Sequence, residues 1–346
     1  MAMPEITVRG AGIFGLSIAW VLTQRGAHVQ VVDPHGAGSG SSGGLVGALA
    51  PHVPENWNDK KAFQLESLLM AEAFWADVQA VGRVDPGYGR TGRLQPIADD
   101  HALALARSRC DGARDLWQGR AVWEVIAVED AGAFSPLSPS GFLIRDTLTG
   151  RMHPRQACTA LVAALRARGV EVVREAPDQG AVIWAAGWRG LLELSDEIGK
   201  SVGAGIKGQS AALGYDAGPV PQVFVDGLHI IPHANGTVAI GSTSEREFES
   251  PDGLDDQCDD LIARAAVAMP VLADAPVVDR WAGVRPRARS RAPMLGAWPG
   301  REGHFIANGG FKIGFGMAPK VAEVMAELVL DGRDSIPEGF RVEASM

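Results

Sequence analysis

The chain has 346 residues, 46% of them hydrophobic and 21% charged, with 41 acidic against 32 basic residues and a net charge of −9. That composition belongs to a soluble globular protein of two to three domains. The acidic balance argues against nucleic acid or an anionic membrane surface as a general partner. Cys110, Cys158 and Cys258 are far apart, odd in number and without metal-ligand spacing, which suits reduced thiols and a cytoplasmic setting.

The first element in chain order is a strand, Glu5-Ile6-Thr7-Val8, followed by Gly10-Ala11-Gly12-Ile13-Phe14-Gly15 and a helical run from Leu16 to Arg25 that Gly26 closes. A second strand, His28 to Val32, ends in Asp33. This is the G-x-G-x-x-G arrangement in its full context. The first glycine permits a tight turn, the second a close approach to a pyrophosphate, and the third close packing of helix on strand. Free N–H groups at the helix start favour phosphate. An acid about twenty residues on suits a ribose diol and repels a 2′-phosphate, so NADP is disfavoured. Arg9 is unusual at the end of a central strand; either it answers a nearby carboxylate or the strand end is more open than usual. The apolar run from Ala11 to Leu22 lacks the basic start and cleavage site of a signal peptide, and no run reaches the roughly 18 residues of a membrane span.

Next comes Gly36 to Leu45, rich in Gly and Ser, which reads either as a flexible linker or as a second loop approaching a cofactor through Ser41, Ser42, Gly43, Gly44 and Leu45. Lys60 to Val81 and Ala102 to Trp117 have helical patterns. Leu94 to Ile97 reads as an edge strand, because Pro96 cannot donate to a ladder. A helix starts at Pro154 and runs to Gly169. Strands are predicted at Gly169 to Val173 and Ala181 to Gly187, returning to the α/β grammar of the N-terminus. From Ile206 to Ser244 strands dominate, with hairpin turns at Asp226-Gly227 and Asn235-Gly236. A helix over 255–269, a strand over 277–283, an Arg-rich run over 285–291, a strand over 304–307, a glycine loop over 308–314 and a closing helix over 318–330 complete the chain.

Several separated motifs, in order along the chain, resemble the glycine oxidase, D-amino-acid oxidase and sarcosine oxidase family of FAD enzymes. They are the N-terminal fingerprint, Ser41 to Leu45, Ala185-Ala186-Gly187-Trp188, Lys207-Gly208-Gln209, Trp281 to Pro286, Pro293 to Gly296, and Asn308 to Lys312 with Ala318-Pro319. Length and the stretch from Gly43 to Pro51 are most similar to glycine oxidase. The resemblance implies an α/β fold with a discontinuous Rossmann-type FAD domain (residues 1–50, 60–84, 145–205 and 282–346). A substrate domain on a mainly antiparallel sheet would hold residues 51–59, 85–144 and 206–281. It implies an FAD-dependent oxidoreductase that oxidises the C–N bond of an amino acid or secondary amine by hydride transfer to flavin N5. The imine product hydrolyses, and oxygen is the acceptor, giving hydrogen peroxide. A dehydrogenase serving a quinone or protein acceptor, an NAD enzyme and a non-catalytic flavin protein are the competing readings. The NAD reading leaves the second and the C-terminal glycine loops unexplained.

The same resemblance places the substrate carboxylate on Arg285, with Arg287, Arg289 and Arg291 as solvated neighbours, and puts Lys312 against either the flavin N1–C2=O edge or the substrate. Here Gly310 and Ile313 depart from the glycine oxidase pattern. His52 is a candidate pocket residue; a polar residue at a domain junction is the equal alternative. FAD would be held by Gly10, Gly12, Ile13, Phe14, Gly15, Asp33, Ser41, Ser42, Gly43, Gly44, Leu45, Val173, Ala185, Ala186, Gly187, Gly309, Gly310, Phe311 and Lys312. With no cysteine in the Arg-rich run, the flavin is expected to be non-covalent. Trp188 and Trp281 are expected to pack near the ring. Neither Tyr88 nor Tyr215 matches the family's carboxylate tyrosine, no metal is implied, and oligomeric state is left open.

Overall fold

In a computed structural model, which describes residues 4–346, the chain builds two main sheets that face a common cavity. The first has six strands in the order β15 (Met294–Ala297), β16 (His304–Asn308), β9 (Ala181–Trp184), β1 (Glu5–Arg9), β2 (His28–Val32) and β8 (Val172–Val173). All neighbours run parallel except β15 on β16. The chain leaves β1 toward β2 on one side and returns as β9 on the other, so the strand order reverses beside β1. A crevice opens at the carboxyl ends of parallel strands where the order reverses.

Helices cover this sheet because its strands are apolar on both faces. The helix α1 (Ile13–Gln24) is buried through most of its length, with Leu16, Ile18, Trp20 and Leu22 inaccessible. It packs against α4 (Pro154–Ala167) and α7 (Gly314–Asp331), and α2 (Asp59–Gly82) closes the layer. The α2 start is capped by the Asn58 side chain, which accepts from the Lys61 N–H at 3.1 Å. The opposite face carries α5 (Gly187–Ile198), whose Leu191 and Leu194 pack on Met294, Trp298 and Ile306.

The second sheet has eight strands in the order β14 (Val277–Ala288), β10 (Gly203–Gly214), β13 (Thr237–Gly241), β12 (Leu228–Pro232), β11 (Gln222–Val225), β4 (Arg93–Pro96), β6 (Phe142–Asp146) and β5 (Trp123–Ala127). It is antiparallel except where β11 meets β4. Its outer side carries α6 (Gln257–Ala268), while α3 (Asp100–Trp117) packs on β5. A short ribbon of β3 (Ala48–Leu49) and β7 (Gly150–Arg151) lies apart from both sheets.

Three sequence expectations change here. The strand with Pro96 is interior, between β11 and β6, not at an edge. The strand expected from Gly169 shrinks to Val172–Val173, because Gly169 (φ +79°) and the Val170 N–H, bonded to Leu165 O, still finish α4. The strand expected over 277–283 continues into the Arg-rich run: Arg285 and Arg287 belong to β14, whose twelve residues pair almost continuously with β10, so the strand crosses position 282.

One buried ion pair ties β4 to β6. Arg93 Nε lies 2.9 Å from Asp146 Oδ2, and Asp146 Oδ1 accepts from the Thr149 N–H and hydroxyl at 2.8 and 2.6 Å. Asp146 is fully buried. Removing one member of such a pair strands the other charge in a medium of low polarity. Asp146→Asn is therefore expected to destabilise the protein by about 3–5 kcal/mol in urea unfolding, because Arg93 keeps its charge. A loss below about 1 kcal/mol, the range of an exposed pair, would show that water reaches Arg93.

Candidate active site

The glycine turn forms as its spacing predicts, and backbone contact explains why each glycine is there. Gly10 has φ +112°, and a Cβ on it would stand 2.3 Å from Ala185 O. A Cβ on Gly15 would stand 1.8 Å from Gly10 O. The turn is thus wedged between β9 and α1. Asp33 closes it from β2: Oδ2 accepts from the Ala11 N–H at 2.8 Å and Oδ1 from the His35 N–H at 2.9 Å. Arg9 finds a carboxylate, Asp178, at 2.7 Å and lies over the Trp184 ring.

The second glycine-serine stretch is a built loop and not a linker. The Gly38 N–H bonds Ala11 O at 2.9 Å, and the Ser42 Oγ accepts from the Ile13 N–H at 2.9 Å. Ser42 thereby satisfies one of the free donors at the start of α1. Gly43 has Gly38 O at 2.4 Å from the position of a Cβ, so it too is required by close packing.

Between these loops and the eight-stranded sheet lies a cavity of about 880 Å³. Of the residues expected to hold a cofactor, Gly10, Gly12, Ile13, Phe14, Asp33, Ser41, Ser42, Gly44, Leu45, Ala185, Ala186, Gly187, Gly310, Phe311 and Lys312 line it. Gly15, Gly43, Val173 and Gly309 do not: the first two are packing glycines, Val173 accepts from the Asp33 N–H at 2.9 Å, and Gly309 (φ +73°) makes the turn after β16. Trp188 and Trp281 line the cavity, whereas Tyr88 and Tyr215 do not. His52 is not on the wall either. Its N–H donates to Gln64 Oε1 at 2.7 Å, its Nδ1 meets the same oxygen, and burial lowers its pKa, so it joins the segment after β3 to α2.

The far end is built by β10, β14 and the β11–β12 hairpin. Ile206 pairs with Arg285 and Gly208 with Gly283, which brings the Arg285 guanidinium over the bare face of Gly208. A Cβ on Gly208 would lie 2.0 Å from Arg285 Nη2. Arg285 Nη1 donates to Ser242 Oγ at 2.6 Å, and Nη2 donates to Thr243 O at 2.6 Å and Lys207 O at 3.2 Å. Its Nε has no protein partner. Glu245, the carboxylate whose field it feels, is bound to Lys207 Nζ at 3.1 Å. Burial pushes the Arg285 pKa down to about 10, so the group stays charged at neutral pH. Arg287 is half-buried, and Arg289 and Arg291 are exposed.

Lys312 opens onto the same space. It is accessible from the cavity yet surrounded by protein, and burial, then the Arg285 charge, push its pKa down to about 8. Arg285 and Lys312 both lie near the Phe311 ring, 5.5 and 5.8 Å from its centre. Opposite them, His229 packs on Phe224 with ring centres 4.6 Å apart. Burial first, then the charges of Arg93 and Lys312, hold its pKa at about 3, so it is a neutral imidazole. Sequence reading missed Phe224, His229, Ser210 and Ser242 as lining residues. The turn at Asp226-Gly227 located their hairpin, but no spacing marks which strand face meets the cavity.

A crevice of this kind, with a glycine turn, a helix start and a carboxylate at one end and two cations, one of them buried, at the other, defines a dinucleotide-dependent oxidoreductase. The chain belongs to the family of FAD dependent oxidoreductases, whose sequence profile matches residues 5–328. It is 27% identical to the glycine oxidase of Pseudomonas putida, over 97% of this chain and 98% of that one. Its fold is that of the glycine oxidase from Geobacillus kaustophilus (TM-score 0.84, 20% identity, 98% of this chain and 99% of that one). It also matches the iminodiacetate oxidase from Chelativorans sp. BNC1 (TM-score 0.83, 20% identity, 97% and 98%). The enzyme thus takes FAD as its cofactor, and the residues present fit it: Asp33 would offer a carboxylate to a ribose and the α1 start would offer donors to a pyrophosphate, while Gly44 to Val46 with Ala307, Asn308 and Gly310 to Lys312 line the other end of the cavity. Among the described residues, no group of acidic, His and Cys side chains could hold a metal ion, and no helix is long and apolar enough to cross a membrane.

The contact between Gly208 and Arg285 yields a test. Gly208→Ala would force the guanidinium away from Ser242 and Thr243, so a carboxylate ligand should bind about tenfold more weakly. FAD content should be unchanged, because Gly208 does not line the cavity. Unaltered carboxylate affinity would show that Arg285 is not held by this contact.

Proposed function

We propose that this enzyme oxidises the C–N bond of an amino acid or a carboxylate-bearing secondary amine, with oxygen as electron acceptor and hydrogen peroxide as product. The observation that carries the reading is Arg285, a buried guanidinium with a free Nε and no carboxylate in an ion pair with it among the described residues. A buried charge without a counterion is costly, and an anionic substrate supplies the missing partner. In this reading the six-stranded unit is the cofactor domain and the eight-stranded unit the substrate domain.

FAD, when bound, would supply the two-electron acceptor for the hydride that leaves the substrate carbon. The chain's own residues bind and orient. Arg285, fixed by Ser242, Thr243 and Lys207, holds the substrate carboxylate and so aims the adjacent C–N bond. Leu45, Val46, Phe224 and Trp281 give the wall an apolar surface that keeps bulk water from the reacting carbon. Neutral His229, its pKa held down to about 3 by burial, is too weak a base to take a proton from an ammonium group. The P. putida relative is a glycine oxidase, which supports an amino-acid substrate. No cysteine lines the cavity, so FAD is held non-covalently and acid precipitation should leave a colourless protein pellet.

Arg285→Ala tests the assignment with an oxidised amino acid as substrate. KM should rise about tenfold or more, the worth of one charged hydrogen bond, with FAD content unchanged. An unchanged KM would remove Arg285 from substrate binding.

A further inference from the structure

The far end of the cavity holds more positive charge than one carboxylate neutralises. Arg285 and Lys312 both line it, and among the described residues neither is in an ion pair. The nearby acids are committed. Glu245 is bound to Lys207 and Asp255 to Gln209 Nε2 at 2.7 Å. The two acids that line the cavity are distant in role: Asp33 closes the glycine turn, and Glu193 lies on α5 one turn after Arg189, which touches His35.

The same end collects polar atoms without protein partners. Ser210 Oγ, His229 Nδ1 and Arg285 Nε are all buried, unpaired and on residues that line this one cavity. Buried polar groups are normally paired, so a cluster of orphans marks where a polar ligand sits. Lys312 Nζ and Arg285 Cζ lie 5.8 and 5.5 Å from the centre of the same Phe311 ring, so both cations share the end of the cavity that carries those orphans.

We propose that the substrate is an amino or imino dicarboxylic acid, with the carboxylate next to the reacting carbon on Arg285 and a second carboxylate on Lys312, which hydrogen bonds from Ser210 and His229 assist. This rests on the reading of Arg285 as the substrate-carboxylate residue. A single carboxylate would leave one of the two cavity cations and most of the orphaned atoms without a partner. A dicarboxylate cancels both charges and supplies acceptors for the hydroxyl and the guanidinium Nε. His229, as the neutral form, has one ring N–H to give.

The test is calorimetric titration of the FAD-loaded enzyme with non-oxidisable acids, comparing malonate with propionate and succinate with butyrate. The dicarboxylate should bind about tenfold more tightly in each pair, as expected for one added charged hydrogen bond. In Lys312→Met the ratio should fall to about one, with Lys312→Gln as the second variant and bound-flavin absorbance as the check on folding. A ratio of one in the unmodified enzyme, or a ratio that survives in both variants, overturns the proposal. Arg285→Ala separates the two readings: weaker binding of every acid supports the underlying assignment, and unchanged binding of all of them defeats that assignment instead.

Discussion

The organisation of the active site follows from one constraint, a guanidinium buried without a counterion. Taking Arg285 out of water costs several kcal/mol unless its hydrogens are met. The protein meets them with Ser242 Oγ and the Thr243 and Lys207 carbonyls, and seats the flat group on Gly208. Those partners in turn need support. The Lys207 N–H bonds Glu245 O and the Glu245 N–H bonds Lys207 O, each at 2.9 Å, while the side chains of the same two residues form an ion pair. The segment from Ser242 to Glu245 is thus pinned over β10 so that it faces Arg285. Two of the five N–H donors, that of Nε and the second of Nη1, have no protein partner.

The rest of the fold delivers two ends of one crevice to a common volume. The parallel sheet provides the reversal of strand order beside β1, where the glycine turn, Asp33 and the Ser42 loop interlock through backbone contact. The antiparallel sheet provides a wall whose long strands, β10 and β14, carry Gly208 and Arg285 into register. Residues from the last glycine loop bridge the two, because the Phe311 N–H bonds Pro286 O at 2.9 Å. Residues that are far apart along the chain therefore meet in one volume.

Legibility in the sequence followed the range of the interactions. The glycine turn, the capped α2 and the two hairpin turns were readable because each depends on neighbours within a few residues. The interior position of β4 was not, since Pro96 looked like an edge signal and the partner strands β11 and β6 are distant in sequence. The end of β14 is hidden by its arginines: Arg285 reads as a substrate-carboxylate residue and Arg287 as a solvated one, and only the pairing with β10 shows that both belong to a strand. His52 was read as a pocket candidate from its place after the second loop, but Gln64, twelve residues on, holds it elsewhere. His229 carried no mark at all; only the pairing of β12 with β11 and the approach of Lys312 set its environment.

The most direct test of the account is anaerobic titration of the purified flavoprotein, followed by the visible absorbance of bound FAD. Amino or imino acids should bleach the flavin, while the corresponding amines lacking the carboxylate should leave it oxidised at the same concentration, because Arg285 has nothing to hold. Equal bleaching by the decarboxylated amines would contradict the central claim that a buried, unpaired guanidinium positions the reacting bond.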